Sequence, residues 1–230
     1  MIKPVYLLAG GAFHRRQSHD PLIHQMLRET ARPQPTVAYI GTASGDDPHF
    51  FNALKTLLEQ NGAGRVDLVP LASPHCKLPA ARSLLASADL IFFSGGDVEL
   101  GMRLLRERGV VELISDQFRA GTVLAGISAG SILLCQQWLH WPDPDDDSTV
   151  EPFDCLGIVP LICDMHDEAG GWTELKTLLS LRQIDGEIGY GIPASAGLRI
   201  HPDHRIEEIG GRAHQFIFRN GRVTPCDAYA

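Results

Sequence analysis

Five short apolar runs, each closed by a glycine or turn residue and separated by helix-length segments, constrain this chain more than any other feature. They are Val5–Ala9, Thr36–Ile40, Val66–Val69, Leu90–Phe93 and Thr122–Gly126. A strand with one wet face alternates apolar and polar residues; a strand buried on both faces reads as a nearly continuous apolar run. The intervening segments have helical spacing: 19–31, 50–60, 79–88, and two consecutive helices, 98–108 and 110–119, broken at Gly109. Strand and helix in alternation predict an α/β fold, a three-layer α/β/α sandwich around a mostly parallel central sheet.

Beyond the fifth run the texture changes. A helix is predicted from Ala129 to about Trp138, then an acidic, proline-broken loop, Trp141 to Ser148, which reads as a solvated surface loop. A strand follows to about Cys163, then a helix over 173–181, short strands, and a C-terminal antiparallel hairpin over 216–223 with Asn220-Gly221 as its turn. No internal repeat or linker divides the chain, so residues 1–230 are expected to form one domain.

Composition narrows the function classes. Hydrophobic residues make up 44 % of the chain, enough for a sizeable core, and the net charge of −8 argues against a nucleic-acid face. No apolar run approaches the roughly 18 residues of a membrane helix, and since the first residues lead directly into a strand-like run, no secretory signal is expected. A cytoplasmic location is expected. The five cysteines (Cys76, Cys135, Cys155, Cys163, Cys226) include no Cys-x-x-Cys pair, so reduced thiols are expected, with Cys135 packed in the core. The segments His201-Pro202-Asp203-His204 and His166-Asp167-Glu168 lack helix-face histidine spacing and cysteine support, so no metal site is expected.

The fifth run leads straight into Gly126-Ile127-Ser128-Ala129-Gly130. Gly-x-Ser-x-Gly between strand and helix puts the serine on a sharp turn, its hydroxyl raised above the carboxyl edge of the sheet. Ser128 is then a candidate nucleophile and the Ala129 N–H a candidate oxyanion donor; close packing or anion binding is the alternative. Phe92-Phe93-Ser94-Gly95-Gly96-Asp97 also ends a strand and opens a helix, at the same edge of the sheet. Gly96 is the candidate second oxyanion donor or else part of a tight turn, and Asp97 reads as an N-cap.

Taken together, Leu8-Ala9-Gly10-Gly11, Tyr39 to Ser44, the Gly95-Gly96-Asp97 loop, Gly-x-Ser-Ala-Gly-Ser at 126–131, a strand ending in His166, and Gly189 to Pro193 resemble peptidase family S51, which contains aspartyl dipeptidase (peptidase E) and cyanophycinase. The resemblance runs from about residue 4 to 218. It implies a class I glutamine amidotransferase-like, flavodoxin-like fold, no cofactor, and a Ser-His pair assisted by an acid. Position by position, Ser128 matches the nucleophile, His166 the histidine, and Gly96 and Ala129 the oxyanion donors. For the acid, the loop after the nucleophile helix offers Asp143, at the most similar offset, with Asp145, Asp146 and Asp147; an acid near the histidine would be Glu168. The segment Asp167–Trp172 carries no arginine where one would suit an aspartate substrate, which weakens the implication of aspartyl specificity.

The expected activity is therefore hydrolysis of a short peptide or another small amide, with a homodimer possible. Two other readings remain open. One is a non-catalytic small-carboxylate-binding protein on the same scaffold. The other is an α/β-hydrolase-type esterase, with a late histidine such as His204 or His214 as base.

Overall fold

The computed structural model describes residues 1–10, 19–143 and 145–226. The five apolar runs form β1 (Val5–Leu8), β2 (Thr36–Ile40), β3 (Arg65–Val69), β4 (Leu90–Phe93) and β5 (Val123–Ile127), all mutually parallel in the order β1-β5-β4-β2-β3. β5 lies between β1 and β4, with Leu8 opposite Ile127 and Phe93 opposite Gly126. Every residue of β1, β4 and β5 is buried, as continuous apolar runs require. β3 is an edge strand; its Asp67 stays partly exposed and pairs with Arg65 at 2.7 Å.

Helices cover both faces. α1 (Pro21–Arg28) and α2 (Pro48–Gln60) bury Ile23, Met26, Leu54 and Leu58 against Tyr6, Tyr39 and Phe92. α3 (Leu78–Ser87), α4 (Val98–Glu107) and α5 (Val111–Ala120) bury Leu85, Met102, Leu105 and Ile114 against Leu7, Ile40, Phe93 and Leu124. α1 starts later than the apolar spacing alone predicts. Asp20 caps it, accepting the Leu22 and Ile23 N–H groups, and Pro21 takes the first position. Asp47 and Pro48 open α2 in the same way.

The predicted helix from Ala129 to Trp138 is corrected. α6 spans only Ala129–Leu134; the chain then turns extended at Cys135 and forms β6 (Gln137–His140), paired antiparallel with β7 (Glu151–Asp154). The acidic segment is therefore the tip of a hairpin. The strand expected to run to Cys163 is β8 (Ile162–Met165), displaced toward His166 because Pro160 cannot donate to a ladder.

β8 belongs to a second, four-stranded sheet. It pairs parallel with β9 (Ile188–Ile192), with α7 (Thr173–Arg182) between them in the chain. β9 pairs with β12 (His214–Arg219), and β12 with β13 (Arg222–Pro225) through the Asn220-Gly221 turn, whose φ values of 51° and 74° suit a tight hairpin. The central sheet is instead extended beyond β1 by β10 (Gly197–Ile200), antiparallel to β1, and β11 (Ile206–Ile209). Among the described residues no helix is long and apolar enough to cross a membrane.

Candidate active site

Ser128 stands at the carboxyl end of β5 with φ 52° and ψ −126°, a conformation that costs a non-glycine residue about 1–3 kcal/mol. Its surroundings hold it there. The Ser128 N–H donates to the Leu8 carbonyl at 2.8 Å. Ser131, fully buried one turn into α6, accepts the Leu8 N–H at 2.9 Å and donates to the Leu8 carbonyl at 3.0 Å. One hydroxyl thus continues the hydrogen bonding of β1 into α6. The flanking glycines allow the sharp turn: a Cβ on Gly126 would overlap the Gly130 backbone, and one on Gly130 would overlap the Phe93 carbonyl.

The Gly95-Gly96 loop lies against this turn. A Cβ on Gly95 would stand 3.1 Å from the Ser128 Cβ. Gly96 has φ 138°, and a Cβ there would collide with the Ala43 carbonyl, so only glycine fits. That carbonyl accepts the Asp97 N–H at 2.8 Å, and Asp97 caps α4 by accepting the Leu100 N–H, as the sequence predicts. Gly96 and Ala129 both line the cleft that contains Ser128.

His166 follows β8 with φ 49°, its N–H donating to the Ile192 carbonyl at 2.9 Å. Its Nε2 lies 2.7 Å from the Ser128 Oγ. The two residues are 38 positions apart and come from different sheets. Two braces fix the histidine turn. The Asp167 carboxylate accepts the Trp172 N–H at 3.0 Å, and the Glu168 carboxylate accepts the Ala194 N–H at 2.7 Å. Trp172 is buried against Gly191 of β9, where a Cβ would strike its indole ring. His214, one of the late histidines considered above, packs its ring 5.4 Å from that indole; His204 sits in a turn, its N–H donating to the His201 carbonyl.

Ser128 and His166 open onto a cleft of about 890 Å³. Its walls carry Trp138, Leu139 and Trp141 from the β6–β7 side, and six acidic residues: Asp97, Glu99, Asp147, Asp164, Asp167 and Glu174. No lysine or arginine is among the described lining residues. Of the acids singled out in the sequence, Asp147 lines the cleft. Asp143 is exposed and accepts the Asp145 N–H within its own loop, and Asp146 caps the short 3-10 turn at Asp147–Thr149. Glu99, Asp164 and Glu174 are the lining acids that sequence reasoning missed. Asp164 left a signal, a lone carboxylate inside the buried run Ile162–Met165.

The cleft acids do not all ionise alike. Burial, with Glu174 and Asp167 nearby, pushes the Asp164 carboxyl up to about 7, against the pull of the Met165 N–H. Glu174 is raised by partial desolvation and by Asp167. Below the site Cys135 is fully buried, as expected, with its Sγ 3.2 Å from that of Cys163; burial pushes its thiol well up, so it is inert as a nucleophile.

Fold and site together define a mostly parallel α/β protein with a serine–histidine pair at the carboxyl edge of its sheet. Residues 5–207 match peptidase family S51, and the chain belongs to that family, whose members are hydrolases. It is 29 % identical over 226 residues to the uncharacterized peptidase YgaJ of Bacillus subtilis, covering 95 % of this chain and 92 % of that one. It is 25 % identical to peptidase E of Escherichia coli over 63 % of this chain and 65 % of the relative. It is 23 % identical to a cyanophycinase of Trichormus variabilis over 71 % and 57 %. Among solved structures, a peptidase from an acI-B1 actinobacterium superposes with a TM-score of 0.74 at 20 % identity, covering 100 % of this chain and 96 % of that one. A putative peptidase E from Listeria monocytogenes does so with 0.66 at 18 % identity, covering 92 % and 100 %.

Proposed function

We propose that the chain is a serine peptidase that hydrolyses short peptides or another small amide. The observation that carries this reading is the 2.7 Å contact between the Ser128 Oγ, on its strained turn, and the His166 Nε2. With the neutral imidazole protonated at Nδ1, Nε2 accepts the hydroxyl proton as Ser128 attacks the carbonyl carbon. The N–H groups of Gly96 and Ala129 hold the oxyanion, and His166 returns the proton to the leaving amine. Water, activated by the same histidine, then releases the acyl group.

For the acid we carry forward Glu168 and Asp143. Glu168 braces the histidine turn through Ala194, and Asp143 stands in the acidic loop whose Asp147 reaches the cleft. Glu168→Gln and Asp143→Asn separate them: the true partner's loss lowers kcat with little change in KM. Small-carboxylate binding finds no support in a cleft whose described walls carry six acids and no lysine or arginine. The esterase reading with a late histidine is disfavoured because the Ser128 hydroxyl is engaged by His166.

The test is a library of dipeptides and isopeptides assayed with wild type, Ser128→Ala and His166→Ala. Each variant should lose activity by at least about 10³-fold. Cleavage undiminished in Ser128→Ala would remove the serine from the mechanism.

A further inference from the structure

Behind the Gly95-Gly96 loop lies a hydroxyl that the catalytic reading leaves unused. Ser94 follows β4 directly and is fully buried. Its N–H donates to the Ile40 carbonyl of β2 at 3.0 Å, so its backbone is fixed to the sheet. Its Oγ donates to the Gly95 carbonyl at 3.3 Å and lies 3.5 Å from the Ser44 Oγ. Ser44 donates its own proton to the Gly41 carbonyl at 3.0 Å, so Ser94 is the hydroxyl of this pair that holds the Gly95 carbonyl.

The Gly95 carbonyl and the Gly96 N–H belong to one peptide unit, and in a trans peptide they point in opposite directions. Gly95 is buried, whereas Gly96 is exposed and lines the cleft. Holding the carbonyl inward therefore turns the N–H outward. That N–H has no acceptor among the described residues and is free for an incoming oxygen. A peptide between two glycines has no Cβ on either side to resist its rotation. The chain is anchored before it by the Ser94 N–H and after it by the Asp97 N–H, which donates to the Ala43 carbonyl at 2.8 Å. Between those anchors the Ser94 hydroxyl holds the peptide plane.

We propose that Ser94 is a positioning residue for the reaction at Ser128: its hydroxyl keeps the Gly95 carbonyl turned inward and so keeps the Gly96 N–H aimed at the oxyanion. This rests on the reading of Ser128 and His166 as the catalytic pair with Gly96 as an oxyanion donor. Without the hydroxyl, the Gly95 carbonyl is a buried acceptor lacking a partner. Rotating the peptide brings that carbonyl to water in the cleft and turns the N–H away from the oxyanion. The same bond polarises the peptide and strengthens its N–H as a donor.

The test is the concentration dependence of fluorophosphonate labelling, followed by intact mass, for wild type, Ser94→Ala and Ser44→Ala. The Ser128 Oγ forms a bond to phosphorus as fluoride leaves and His166 takes the hydroxyl proton, while the phosphoryl oxygen occupies the oxyanion position. The limiting rate therefore reads the donors, and its pH midpoint reads His166. Ser94→Ala should lower the limiting rate at least about tenfold, with the half-saturating concentration and the pH midpoint unchanged. Ser44→Ala should stay within about twofold of wild type, because it does not touch the Gly95 carbonyl. A crystal structure of Ser94→Ala should show the Gly95–Gly96 peptide rotated.

Labelling of Ser94→Ala at the wild-type rate, a shifted pH midpoint, an equal loss in Ser44→Ala, or a peptide that keeps its orientation in the variant would each overturn the proposal. Should Ser94→Ala fail to fold, Ser94→Cys, with only a weak S–H donor in the same place, carries both measurements with the same expected signs. The two readings fail separately. Wild-type labelling at Ser128 that is insensitive to Ser94 sinks this inference alone; a rotated peptide in Ser94→Ala without any labelling of wild type sinks the catalytic reading on which the inference rests.

Discussion

Ser128 carries its hydroxyl at a backbone angle that its own side chain disfavours, and the surrounding contacts hold it there. Ser128→Gly should therefore raise thermal stability, by about 1 kcal/mol, while removing activity, a trade measurable by calorimetry and peptide hydrolysis. Gly130→Ala should do the reverse of a relief. Its methyl overlaps the Phe93 carbonyl, and urea unfolding should show a loss of about 3 kcal/mol. Asp164 gives a pH signature. Its carboxyl keeps its proton in the native state up to about pH 7 but loses it near pH 4 when unfolded, so its contribution to stability falls as pH rises through that window. Asp164→Asn should accordingly raise the melting temperature more at pH 8 than at pH 4; an equal shift at both would contradict the raised titration. At this scale Ser128, Gly96 and the Asp97 cap were legible because spacing alone places them on turns. Asp164 was overlooked because nothing in a single sequence tells a buried carboxylate facing a cleft from one paired inside the core.

The serine turn works as an element because α6 is tied to β1. Ser131 supplies the tie, and Ser131→Ala leaves the buried Leu8 N–H without its partner. A loss of about 1–3 kcal/mol in urea unfolding is expected, with slower reaction at Ser128 because the turn loses its anchor. The parallel strands were readable from their continuous apolar runs, and their caps explain the one- or two-residue shifts at helix starts. The β6–β7 hairpin was not. Ala129 to Trp138 has an unbroken apolar texture, and Gln137–His140 becomes a strand only through its pairing with Glu151–Asp154. That pairing matters to the site, since Trp138, Leu139 and Trp141 form part of the cleft wall.

Across the whole molecule, the site exists only where two sheets meet. The central sheet supplies Ser128 and the Gly95-Gly96 loop; the second sheet supplies His166 and Asp164. The sequence suggests that a strand precedes His166 but not which sheet receives it, because parallel pairing of β8 with β9 is a long-range choice with no local signal. Two core truncations separate stability from site assembly. Trp172→Ala and Leu58→Ala should each cost about 3 kcal/mol or more. Only Trp172→Ala should also slow chemistry at Ser128, because Trp172 packs on β9 beside the histidine turn whereas Leu58 lies in the α1–α2 layer. The most direct measurement of the central claim is intact-mass and peptide mapping of the wild-type protein after reaction with a fluorophosphonate. A single adduct on Ser128, formed far more slowly in His166→Ala, is the predicted result; no adduct, or one carried by another residue, would contradict the assignment of Ser128 and His166 as the catalytic pair.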